Sequence, residues 1–113
     1  MPYINTKTNI SISNEKCKNI KQELGKAITI IPGKSENWLM VGFEDNLRMF
    51  FKGDNAPTAF IEIKSFGKSN SDVYNKLTAA VTEIINKELD IEKNRIYVKY
   101  EEVSHWGYNG SNF

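Results

Sequence analysis

The part of this sequence best equipped for chemistry is its start, Met1-Pro2. Proline is small enough as a second residue for removal of the initiator methionine to be expected, and the chain would then begin with a secondary amine. No side chain offers that group. An unperturbed α-amino group titrates at about 7.7–8.0, so a modest downward push makes it a base usable at neutral pH. With Met1 retained, the same nitrogen is an amide and has no useful basicity. The second candidate is Lys34, which follows Gly33 directly after an apolar helical stripe. A lysine there complements the negative end of a helix. Placed beside the amine, it would instead disfavour protonation of that amine. Spacing alone does not bring the two together. Cys17 and His105 are the only residues of their types, too few for an internal disulfide or for a zinc site of the usual ligands. Cys17 reads as core packing and His105 as a solvated loop residue.

These residues need a frame, and the hydrophobic pattern supplies one. Residues 2–8 alternate, with Ile4 and Thr6 on one face and Tyr3, Asn5 and Lys7 on the other, as in a strand. Ser13 caps a helix whose first turn holds Glu15. Cys17, Ile20, Leu24, Ala27, Ile28 and Ile31 form its apolar stripe, and Pro32-Gly33 stops it. A buried strand is predicted over 38–43 and a short one over 47–51, with turns at Asp45-Asn46 and Gly53-Asp54-Asn55. The second half repeats the plan. A strand is predicted over 58–64, and Ser69-Asn70-Ser71-Asp72 resembles a capping box. A helical face follows from Val73 through Leu77, Ala80, Val81, Ile84, Ile85 and Leu89, then a strand over 95–100.

Strand starts at 2 and 59, and at 38 and 95, are each 57 residues apart, while the helix starts near 14 and 69 are 55 apart. That is the signature of a duplicated β-α-β unit. A right-handed crossover in each unit makes its strands parallel and gives an α+β fold: one four-stranded mixed sheet with both helices on one face. The other face, with Tyr3, Asn5, Phe60, Glu62, Tyr97 and Lys99, is half polar and uncovered, which argues for association with further copies of the chain.

Composition bounds the function from outside. The 113 residues, 40% hydrophobic and 26% charged, suit one domain spanning 1–113. Fifteen basic and fourteen acidic residues leave a net charge of +1, which argues against a nucleic-acid binder. No apolar run approaches ~20 residues, so no membrane span is expected. The first residues lack the apolar core of a secretory signal, and a lone cysteine suits a reducing compartment, so a cytoplasmic location is expected. The Asn9-Ile10-Ser11 and Asn109-Gly110-Ser111 sequons carry little weight in that setting.

Several short stretches in order resemble the family of macrophage migration inhibitory factor (MIF) and D-dopachrome tautomerase: Met1-Pro2, Thr8-Asn9, Gly33-Lys34, Asp45-Asn46-Leu47, Ile63-Lys64-Ser65-Phe66-Gly67, Asn94-Arg95-Ile96-Tyr97-Val98 and the tail from Trp106 to Phe113. The resemblance covers essentially the whole chain. It implies a homotrimer with an active site at each subunit interface and no cofactor. The implied reaction is keto–enol tautomerisation of aromatic α-keto acids such as phenylpyruvate, or of D-dopachrome. By position, Pro2 is the base and Lys34 holds the substrate carboxylate or enolate. Phe66 offers its backbone N–H, flanked by Ser65, and Tyr97 and Lys99 reach in from a neighbouring subunit. Tyr3, Trp38, Trp106, Tyr108 and Phe113 form an aromatic slot.

The resemblance equally admits a cytokine-like or host-interaction protein, released without a signal peptide and binding a cell-surface receptor, whose pocket is secondary. Three departures bear on selectivity: Lys99 stands where animal cytokine members usually carry Asn, Phe66 where Ile is common, and Tyr108 where Trp is common. Thr58 and Ile61 occupy the positions of the Cys-x-x-Cys found in some animal members, which removes any thiol–disulfide activity of that motif.

Overall fold

The computed structural model describes residues 1–113. Its first unit runs from strand β1 (Pro2–Thr8) through helix α1 (Asn14–Ala27) to strand β2 (Met40–Glu44). The second runs from β3 (Ala59–Phe66) through α2 (Ser71–Leu89) to β4 (Ile96–Val103), and a small hairpin, β5 (Gly107–Tyr108) and β6 (Ser111–Asn112), ends the chain. Corresponding elements begin 57, 57 and 56 residues apart, so the duplication is present in three dimensions. The sheet order is β2-β1-β3-β4. β1 is parallel to β2, β3 is parallel to β4, and the two units meet through the antiparallel pair β1–β3.

Alternation decides which side chains meet the helices. In β3, Ala59, Ile61, Ile63 and Ser65 are buried, while Phe60, Glu62, Lys64 and Phe66 face the open side. Ile4, Ile61 and Ile63 pack with Ile20, Leu24 and Ile28 from the first unit and Leu77, Val81 and Ile85 from α2 into one core. Fully burying aliphatic side chains of this size contributes about 1.5–3 kcal/mol each, which makes this layer the main source of stability. Cys17 packs at its margin, and burial pushes its thiol up, away from thiolate reactivity.

Ser13 caps α1 through Lys16 N–H, as the sequence predicts. In α2 the cap is Asn70, whose Oδ1 accepts from Val73 N–H at 2.9 Å, so the boundary lies one residue beyond the expected Ser69. The strand expected over 38–43 starts only at Met40, because Glu36–Trp38 form a 3-10 turn. No strand forms over 47–51; a single bridge joins Phe51 to Asp54. Leu47 N–H donates to Thr8 O at 3.0 Å, just past the end of β1, and the segment then leaves the sheet. Arg95 holds the loop instead. Its guanidinium donates to the carbonyls of Pro57, Ala56 and Phe51 and pairs with Asp54 at 2.9 Å. Asn9 of the first sequon bonds to the backbone of Asn55, Ala56 and Thr58, so its side chain is a structural clamp.

Candidate active site

β1 is a central strand, so its first residue is held from the sheet interior. Pro2 lies opposite Ser65 in β3, which sets Lys64 and Phe66 on either side of that pairing, both on the open face. Met1 extends beyond the strand, and its carbonyl oxygen accepts a hydrogen bond from Phe66 N–H at 3.0 Å. Lys34 enters from the turn after α1, where Gly33 adopts φ +82 and Lys34 N–H donates to Ile31 O. Its ammonium donates to the Phe66 carbonyl at 2.7 Å. Lys34, Phe66 and the N-terminal segment therefore converge, which spacing alone left open. The Met1 amine is lowered from 8.0 to about 6, chiefly by burial and then by the charge and hydrogen bond of Lys34.

Beside this point opens a cavity of about 520 Å3, within the range of small-molecule sites. Met1, Pro2, Tyr3, Trp38, Trp106 and Tyr108 line it, joined by Asn37, Leu39, Met40, Lys64 and Gly107. Trp38 meets Tyr108 edge-on at 5.1 Å, Tyr108 stacks on Phe113 at 6.2 Å, and Phe113 reaches Phe66 at 5.8 Å. An unbroken aromatic wall thus runs from the cavity to the Lys34–Phe66 bond. The terminal hairpin carries half of it, closed by Phe113 N–H donating to Trp106 O at 3.0 Å. Ser65 is buried opposite Pro2 on the helix-covered face, so it supports the strand and does not line the cavity.

Tyr97 and Lys99 lie elsewhere in the same chain. Tyr97 pairs with Phe60, five positions along β3 from Ser65, a separation of about 17 Å at the usual rise per residue. Its ring packs on Phe51 and Phe60 and remains 57% exposed, while Lys99 pairs with Glu101 at 3.0 Å. Neither can touch its own Pro2. Sequence reading missed Asn37, Leu39, Met40 and Lys64. The signal for Lys64 was present in the β3 alternation, which puts it on the same face as its partner Tyr3.

The model of the family described as macrophage migration inhibitory factor matches residues 1–113. The chain belongs to the macrophage migration inhibitory factor family. A MIF homolog from Brugia malayi is 31% identical over the whole of this chain and 99% of its own length. The MIF of Xenopus laevis is 26% identical over the same shares. Among solved structures, Leishmania major MIF2 superposes with a TM-score of 0.94 at 32% identity, covering 100% of this chain and 97% of that one. A MIF homologue from Prochlorococcus marinus gives 0.83 at 28% identity, with 98% of each chain covered. The MIF fold of four mixed strands and two helices is thereby shared along the full chain.

Proposed function

We propose that this chain, once Met1 is removed, is a cofactor-independent keto–enol tautomerase of small aromatic α-keto acids, phenylpyruvate being the simplest. The observation that carries this reading is the seat of the Met1 carbonyl on Phe66 N–H, beside Lys34 and at the edge of the aromatic cavity. Removing Met1 frees that N–H next to a new secondary amine. The oxygen it held was bonded to the carbon attached to the Pro2 nitrogen, so the vacated donor sits within reach of a substrate oxygen while the amine faces the neighbouring carbon.

Pro2 takes a proton from the carbon beside the carbonyl, and the electron pair moves onto the oxygen as the enolate forms. Lys34 and Phe66 N–H stabilise the developing charge where it appears. The protonated amine then returns the proton to the enolate oxygen, giving the enol; the reverse sequence gives the ketone. Burial and the Lys34 charge, which depress the amine of Met1, act on the Pro2 amine in the same direction and keep it neutral for abstraction. Tyr97 and Lys99, remote from their own Pro2, complete the site from a neighbouring subunit of a homotrimer.

The test is the enol–ketone conversion of phenylpyruvate by protein whose intact mass shows loss of Met1. Pro2→Gly is expected to lower kcat/KM at least about tenfold, or about 1.4 kcal/mol of barrier. Undiminished turnover by a folded Pro2→Gly protein refutes the mechanism.

A further inference from the structure

We propose that Lys64 is a specificity-determining residue that pairs with the substrate carboxylate, leaving Lys34 and Phe66 N–H to the keto or enolate oxygen. The inference rests on the tautomerase reading and divides its two anionic groups between two lysines. Lys64 lines the cavity together with Pro2 and Tyr3, whereas Lys34 does not line it and already donates to the Phe66 carbonyl. Strand register fixes the placement: Lys64 is opposite Tyr3 and one residue from the partner of Pro2.

The acids near Lys64 already have other partners. Glu62, two residues along the same face, pairs with Lys7 at 2.9 Å. Glu101, directly opposite Lys64 in β4, pairs with Lys99 at 3.0 Å. Glu44 at the far end of β2 accepts from Asn5 at 2.7 Å. Lys64 forms neither an ion pair nor a side-chain hydrogen bond in the chain, so its three N–H donors are available at the edge of an aromatic wall. A carboxylate entering that partly desolvated cavity gains a charge-assisted bond that an ester cannot form. An aromatic α-keto acid matches this arrangement: ring against Trp38, Trp106 and Tyr108, carboxylate on Lys64, keto oxygen toward Phe66 N–H.

Two readouts test it. In turnover, Lys64→Gln is expected to raise KM for phenylpyruvate about tenfold while leaving KM for its methyl ester within about twofold, and Lys64→Arg is expected to restore most of the acid preference. In binding, quenching of the cavity tryptophans reports the affinity of 3-phenylpropanoate against its methyl ester. Wild type is expected to prefer the acid, and Lys64→Gln to lose that preference. Equal losses for acid and ester, or an acid preference that survives in Lys64→Gln, overturn the assignment. Should wild type lack turnover with both substrates, the tautomerase reading fails. The binding comparison then still decides whether Lys64 reads a carboxylate, since it needs no reaction.

Discussion

Replacing Lys34 separates two things this lysine does, and pH is the variable that separates them. In the structure the Met1 amine falls from 8.0 to about 6, with burial the larger cause and Lys34 the second, and both act in the same direction on the Pro2 amine that loss of Met1 exposes. At pH 7 an amine of pKa 6 is about 90% neutral, whereas one at 8.0 is only about 10% neutral. Between those two values protonation alone changes the neutral fraction at pH 7 about tenfold. Lys34→Gln removes the charge and leaves the burial, so the pKa of the catalytic amine is expected to rise only part of the way back. The assay is kcat/KM for phenylpyruvate from pH 5 to 9.5 on protein lacking Met1. Activity requires the neutral amine, so it rises with pH through that pKa, and the variant's rising limb is expected at higher pH than the wild type's. Where both profiles have levelled off at high pH, the amine is neutral in both proteins. Any deficit left there measures lost stabilisation of the enolate, for which removal of one such donor typically costs about 10²–10³-fold. A limb that stays in place or moves to lower pH refutes the electrostatic role. A limb that moves with no deficit at high pH refutes the enolate contact.

One further outcome follows from the fold and one from the proposed homotrimer. Ile61 is fully buried at the centre of β3, so Ile61→Ala is expected to destabilise the protein by about 2–5 kcal/mol, read as a lower urea midpoint at fixed protein concentration. Tyr97→Ala and Pro2→Gly chains, each impaired alone, are expected to recover activity above the sum of the parents when refolded together. A mixed trimer would pair an intact Pro2 with an intact Tyr97 from its neighbour; no recovery counts against the shared site.

Much of this architecture is legible without coordinates because β1, α1, β3 and α2 each carry an unambiguous period. Ile4, Ile61 and Ile63 mark one sheet face, and Leu24, Val81 and Ile85 mark the helix faces that cover it. Legibility fails where apolar residues serve something other than the core. Trp38 and Leu39 read as strand, yet Trp38 turns out of the sheet plane to meet Tyr108, a contact 70 residues away in sequence. Phe51 reads as strand as well, but it packs on Tyr97 and under the Arg95 guanidinium. The site shows the same division. Pro2, Lys34 and the tail aromatics are visible through motif order, whereas the β3 alternation puts Lys64 on the Tyr3 face without showing the cavity wall beside it.

Both ends of the chain converge on one spot: Met1 sits on Phe66 N–H, and the Phe113 ring reaches the Phe66 ring. Chain ends in most domains are free and tolerant of additions. Here a purification tag at the front would hold Pro2 as an amide, and a fused domain at the back would crowd the aromatic wall. A change at either end therefore reaches the same Phe66 that Lys34 contacts.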